Sequence, residues 1–473
     1  MVLRFRRKKS CIKAIIAFAL FCDMLTFGMS VPLFPYMILK SSDNIAEADI
    51  EIFAGIIFAC DAVGILFASV IFAYFSDRFS VRKPIMISAT LFAASSIGLF
   101  VFGESIPFLM LSRFLNGIAS GQSWVIGFAI IADRFTDDEV GGTMGLVLGA
   151  STIGYLLGPI LSGFLFDASG GIYVPMILNG IIVLIDLIFR LFIFIPPERV
   201  LSMDMKLKVV MTGLGISKND LDMVDQSHVQ SNYELSEEKA SKKRVNFSDI
   251  MKEKAMVVCL INIFIYSVLV HSVESILSVY LYSTYKSSLS SIGVFFFLMN
   301  FPTFFGSIIG GKLSDIYSYK LVSGIGSFFW MISSICLGLT TSYVSLGSVL
   351  IFFGFFSSIV VTPILPDMRS IVQNHAKQFY RKSVTNNIRA SRSLTASRHS
   401  LSARSDVIIK ELRGSMFFAR LYALFNIAFA LGMIIGPLYS GWVLHYFGFF
   451  WFMTIPSIIG LTFVPILIIY RGK

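Results

Sequence analysis

Gly154-Tyr-Leu-Leu-Gly158-Pro159-Ile-Leu-Ser162-Gly163 is answered by Gly432-Met-Ile-Ile-Gly436-Pro437-Leu-Tyr-Ser440-Gly441, each inside a long apolar run. The chain therefore uses one membrane unit twice, the pattern of carriers built from structural repeats. Small residues four apart let helices approach closely, and a proline at the following position removes a backbone donor and permits a kink. A tight, bendable helix of this kind suits an interface between two moving bundles. A shorter echo runs in the same order: Ser76-Asp77, followed by Arg78, Arg82 and Lys83, returns as Ser314-Asp315 followed by Lys320.

Working outward, the chain of 473 residues is 55% hydrophobic and only 14% charged, too apolar for a soluble globule. Runs long enough to cross the hydrocarbon number about twelve: 12–39, 51–75, 84–103, 106–133, 142–168, 172–196, 255–283, 290–312, 321–340, 345–368, 414–442 and 448–471. We number them spans 1 to 12. Period-two alternation over barrel-length segments is absent from the sequence. The expected fold is an all-α integral membrane protein, with twelve transmembrane helices in two pseudo-symmetric six-helix halves. Residues 1–196 form the first half, 197–254 a cytoplasmic linker, and 255–473 the second half with an inserted cytoplasmic loop at 370–413. Pro196-Pro197 ends span 6, and the mixed-charge stretch beyond it cannot bury a core. The 370–413 loop carries two readings: a solvated connection, or a basic patch that phosphorylation at Ser383, Ser391 and Ser400 would cancel.

A formal charge of +10 resembles a nucleic-acid signature until the charges are placed. Arg4, Arg6, Arg7, Lys8, Lys9 and Lys13 precede span 1; Arg78, Arg82 and Lys83 lie between spans 2 and 3; Lys377 to Arg413 lie between spans 10 and 11. All fall on one side of a twelve-span layout, so the positive-inside rule predicts that both termini are cytoplasmic. The charge reports topology, and no nucleic-acid partner is expected. The basic and then apolar N-terminus differs from a cleaved signal because its apolar run is long and carries Asp23 and two prolines. Five cysteines show no disulfide framework or metal spacing. The Asn246-Phe-Ser248 sequon falls in the linker expected to be cytoplasmic.

Ionisable groups inside a span cost several kcal/mol when unpaired, so they mark sites. Asp23 lies near the middle of span 1, Asp61 in span 2, Arg113 in span 4, and His271 and Glu274 one turn apart in span 7. Removal from water favours the neutral form of a carboxylate, which suits loading a proton on one side and releasing it on the other. Asp23 and Glu274 are therefore the expected substrate and proton sites. Asp61 has two readings, a second proton site or the partner of Arg113. His271 titrates in a useful range but equally fits a hydrogen-bonded structural role. Asp186 and Arg190, at i,i+4 in span 6, read as a structural ion pair.

Ser76-Asp77-Arg78-Phe-Ser-Val-Arg82-Lys83 resembles the signature between helices 2 and 3 of the major facilitator superfamily, with Ala73 where glycine is usual. Arg113-Phe-Leu-Asn-Gly117 resembles its helix 4 motif, and Gly145-x8-Gly154-x3-Gly158-Pro159-x2-Ser162-Gly163 resembles its antiporter motif. More narrowly, Asp23-Met-Leu, Val31-Pro-Leu-Phe-Pro35 and Ile131-Ala-Asp133-Arg-Phe-Thr-Asp-Asp138 are similar to the vesicular amine transporters and their relatives in the drug:proton antiporter group. The resemblance implies that Asp23 engages a substrate amine, that Glu274 is the helix 7 carboxylate, and that Asp77, Arg78, Arg82, Asp133 and Asp315 act in gating. The group's helix 11 carboxylate falls on Asn426, its helix 10 carboxylate near Ser358 and its helix 2 lysine on Asp61. Its large first luminal loop is missing. Those departures point to a cation other than a neurotransmitter amine.

The resulting expectation is a secondary active, proton-coupled antiporter that moves an amphipathic organic cation out of the cytosol as a functional monomer in the lipid bilayer. It would need no cofactor or metal and reside in a vacuolar, vesicular or plasma membrane. A carrier of anionic or neutral solutes is the alternative within transport, and a transporter-like sensor or scaffold the alternative outside it. No nucleophile elbow, metal motif or phosphate loop marks an enzyme.

Overall fold

A computed structural model describes residues 9–41, 49–79, 82–103, 105–135, 137–192, 253–364, 366–368, 370–371 and 416–470. These are helical and contain no strand. Eleven of the described helices are long and apolar enough to cross a membrane. The longest, Met416–Tyr470, breaks at Gly448, where φ is 80°. Only glycine holds that backbone without strain, and its two legs are spans 11 and 12. The remaining helices are Lys9–Ser30 and Phe34–Lys40 (together span 1), Ile50–Phe79, Arg82–Phe102, Ile106–Arg134, Asp137–Ser169, Tyr173–Phe192, Lys254–Tyr285, Leu289–Ile316, Tyr319–Gly338 and Tyr343–Val361, in the order of spans 2 to 10. One packed unit comprises Met1–Ile195, Val258–Asp367 and Ala419–Lys473 and holds the interhelical contacts described below. The second, Pro196–Val257 and Met368–Phe418, falls largely outside the described residues, as do the linker and nearly all of the 370–413 loop.

Span 1 differs from the single rod expected. Pro32 lies in a 3-10 turn, Val31–Leu33, and Pro35 opens the short helix Phe34–Lys40. Each proline lacks an N–H for the ladder, so the chain re-forms its hydrogen bonds in two pieces. Ser30, just before the break, donates its hydroxyl to the Thr26 carbonyl at 3.0 Å. Serines cap several other helices: Ser288, Ser318 and Ser342 each accept a backbone N–H three residues on.

The repeated glycine motif does the same thing twice. Gly154 and Gly158 on span 5 lie against the backbone of Phe21, Leu25, Gly28 and Met29 on span 1. Gly432 and Gly436 on span 11 lie against Phe264, Ser267, Val268 and Ser272 on span 7. Further along, Gly163 meets the backbone of Leu289 and Ser290 on span 8, while Gly441 meets Glu51 and Ile52 on span 2. Gly293 on span 8 reaches back to Pro159, and Gly55 on span 2 to Pro437. Each motif thus binds one helix with its first glycines and another with its last. At the span 5 end, Asp167 also accepts the backbone N–H of Ser290 at 2.8 Å, placing a carboxylate at the start of span 8.

Spans 2 and 4 approach as closely, with Gly64 against Phe114 and Gly117 against Asp61 and Gly64. Apolar side chains such as Val70, Phe164, Ile181, Phe304 and Trp442 are exposed on the outside. Such a surface suits acyl chains, whereas water would penalise it.

Candidate functional site

Asp23 is half-buried on span 1, and span 4 supplies both of its hydrogen bonds. Ser120 Oγ donates to Oδ1 at 2.7 Å and Trp124 Nε1 to Oδ2 at 2.9 Å. Residues 120 and 124 are one turn apart, so a single helix face presents both donors. The indole packs edge-on against Phe128, with ring centroids 5.5 Å apart. A carboxylate oriented by two donors inside a membrane span has the charge that could replace part of a cation's lost hydration.

Asp61 and Arg113 lie on facing helices, spans 2 and 4, and both are buried. Asn116 Nδ2 donates to Asp61 Oδ1 at 2.9 Å, while Arg113 Nη1 stands 4.0 Å from the same oxygen. Arg113 turns its other terminal nitrogen to Ser30 Oγ at 3.0 Å. Its guanidinium also lies 5.5 Å from the Phe34 ring centre and 5.6 Å from that of Phe100. Asp61 Oδ2 and Arg113 Nε and Nη1 have no hydrogen-bond partner. Of the two readings of Asp61, this geometry matches the partnership with Arg113, but a loose one.

Glu274 and His271 share a face of span 7, with Nε2 3.7 Å from Oε2. His271 Nδ1 lies 2.7 Å from the Ser267 carbonyl oxygen, an acceptor, which assigns the proton to Nδ1 and leaves Nε2 toward the carboxylate. The ring packs edge-on to Phe429 of span 11 at 5.0 Å. The other carboxylate oxygen receives the phenol of Tyr155, on span 5, at 2.5 Å. Neither hydrogen-bonded group links Asp23 to Glu274 directly.

Asp186 and Arg190 form a 2.7 Å ion pair, and Arg190 also donates to the Met86 carbonyl and Ser123 Oγ. That pair ties span 6 to spans 3 and 4. Asn426 is half-buried on span 11 and makes no hydrogen bond to the other candidates. Arg82 is buried in the first turn of span 3. The side chains of Asp77, Arg78, Asp133 and Asp315 lie outside the described residues.

Sequence reasoning missed Asn116, Ser120, Trp124 and Tyr155. A signal for the first three exists: Arg113, Asn116, Ser120 and Trp124 follow at helical spacing, a polar stripe along an otherwise apolar span. Tyr155 lies between the two glycines of the quoted motif, and no pattern in the sequence distinguishes it.

The family model described as "Major Facilitator Superfamily" matches residues 16–385. An uncharacterized MFS-type transporter of Schizosaccharomyces pombe is 30% identical over 194 residues, 41% of this chain and 43% of the relative. The human synaptic vesicular amine transporter is 23% identical over 419 residues, covering 88% of this chain and 66% of the relative. The chain thus matches less than two thirds of the length of these relatives. Among solved structures, a D-xylose-proton symporter aligns with a TM-score of 0.66 at 14% identity, over 98% of this chain and 97% of the other. A human organic anion transporter aligns with a TM-score of 0.61 at 16% identity, over 97% and 99%. At these identities the two structures speak for the fold alone. The chain belongs to the Major Facilitator Superfamily, is a multi-pass membrane protein, and is a relative of the vesicular amine transporters. The named relatives are transporters, not enzymes.

Proposed function

We propose that this member of the Major Facilitator Superfamily is a proton-coupled antiporter, carrying an amphipathic organic cation out of the cytosol by alternating access. The observation that carries the reading is a pair of intramembrane carboxylates held in separate polar nests: Asp23 by Ser120 and Trp124, Glu274 by Tyr155 and His271. Asp23, half-buried beside an indole, receives the cation. Glu274, buried and flanked by the His271 imidazole, receives the proton. Occupation of one site by positive charge disfavours occupation of the other, since two added cations in a low-dielectric interior repel strongly. Binding the cation then displaces the proton, and the proton gradient drives the cation outward.

The vesicular amine transporters among the relatives support a cationic substrate. The 1–196 and 255–473 halves would be the moving bodies, with the glycine seams of spans 5/8 and 2/11 closing one end. Both termini would face the cytosol, and the receiving compartment would be an acidic vesicle or vacuole, or the cell exterior.

One observation favours a second reading. Arg113 is buried with two nitrogens lacking hydrogen-bond partners, and a cation so placed would hold an anionic solute. The neighbouring Asp61 and the number of intramembrane carboxylates weigh against it. Uptake into sealed vesicles under an imposed pH gradient, screened across amines, polyamines, drugs, sugars and carboxylates, separates the two. Accumulation of cations on the acidic side supports antiport; accumulation of carboxylates alone supports the Arg113 reading.

A further inference from the structure

Two closely packed pairs of helices are joined by a hydrogen bond. Spans 1 and 5 are locked by Gly154 and Gly158 against the backbone around Asp23, with Gly154 touching Phe21 and Leu25 on either side of it. Spans 7 and 11 are locked by Gly432 and Gly436, by Ser272 Oγ donating to the Gly436 carbonyl at 2.9 Å, and by Ser275 and Ser440 at 2.9 Å. Tyr155, the residue after Gly154, reaches from the first pair to Glu274 on the second.

We propose that Tyr155 is the positioning residue through which Glu274 reports its charge to the span 1/5 pair. The inference deepens the antiport reading and rests on it for its functional meaning. A phenol has one proton to give and an ionised carboxylate only accepts, so the 2.5 Å contact has the length of a charge-assisted O–H···O⁻ bond. That bond ties the two pairs while Glu274 is ionised. A proton on Glu274 removes the charge that the phenol answers, roughly halves the strength of the bond, and frees the pairs to rock.

The titratable groups facing Glu274 are His271 and Tyr266 on its own span and Tyr155 on span 5. Span 11 presents Phe429 to His271. His271 lies 3.7 Å from Glu274, so the test isolates the phenol by mutating Tyr155 and Glu274 alone and together.

The experiment is a double-mutant cycle of Tyr155→Phe and Glu274→Gln, read as thermal unfolding of the solubilised full chain across pH 5 to 8. The two changes are expected to be strongly non-additive at pH 8 and close to additive at pH 5. In parallel, the pH profile of gradient-driven uptake of a cationic dye should differ between Tyr155→Phe and wild type, because the phenol no longer answers the charge on Glu274. Additive effects at every pH, or coupling that does not change with pH, would overturn the proposal. Wild-type protein that drives no cation uptake would instead sink the antiport reading, and the unfolding cycle would still decide the role of Tyr155.

Discussion

Trp124 Nε1 on span 4 donates a 2.9 Å hydrogen bond to Asp23 Oδ2 on span 1, so the carboxylate is oriented at the N–H edge of an indole. Asp23→Asn keeps the volume and deletes the charge that replaces the cation's hydration. We expect cation transport to fall to background with expression intact, in the same vesicle uptake assay. Trp124→Phe keeps a ring and loses one donor, a loss of about 1 kcal/mol, or roughly fivefold in affinity. Trp124→Ala loses the ring as well and should bind still more weakly. Equal cation affinity in Trp124→Ala and wild type, by equilibrium binding, would exclude the indole from the site.

Asp61 and Arg113 stand or fall together. Breaking a buried pair leaves an uncompensated charge and costs about 3–5 kcal/mol, so Arg113→Met should lower thermal stability sharply. The double variant Asp61→Asn, Arg113→Met should recover much of that loss. A stable Asp61→Asn protein with an altered pH profile of transport would instead reassign Asp61 as a proton site.

The glycine seams predict a conformational bias. A β-branched side chain at Gly163 would strike the backbone of Leu289 and Ser290. Gly163→Val should therefore open the span 5/8 end. Asp167→Ala removes the acceptor for the Ser290 N–H and should act in the same direction more weakly, by about 1 kcal/mol. Labelling of a single cysteine introduced at Ser290 in a cysteine-free background, with membrane-impermeant maleimide, reports this. Unchanged labelling in Gly163→Val would show that the seam does not gate access.

Much of the fold was legible because its signals are local. Apolar runs bounded by polar residues mark the spans, and Gly158-Pro159 with Gly436-Pro437 marks the repeat without any knowledge of neighbours. The break in span 1 was written in Pro32 and Pro35, yet a hydropathy count passes over both. The junction of spans 11 and 12 is a single glycine, Gly448, so one backbone angle does the work expected of a short loop.

The site was legible only in part, because charge in a span is conspicuous and its partners are not. Asp23, Asp61, Arg113, His271 and Glu274 announce themselves by their cost in lipid. Which of them meet depends on helix order, which no spacing within a span encodes; the pairing of Asp61 with Arg113 needed spans 2 and 4 side by side. Serine, tyrosine and tryptophan are cheap enough in a membrane to occur without purpose, so Ser120, Trp124 and Tyr155 carried no warning individually.

The central claim is that Asp23 carries the cation and Glu274 the proton. Its most direct test is paired counterflow and gradient-driven uptake of one cationic substrate in the same vesicles, wild type beside Glu274→Gln. Exchange proceeds with substrate bound in both half-reactions, whereas net accumulation requires the carrier to return with protons. We expect Glu274→Gln to retain measurable counterflow and to lose accumulation driven by the pH gradient. Gradient-driven accumulation at the wild-type level in Glu274→Gln would contradict the account and move the proton to Asp61 or to Asp23 alone.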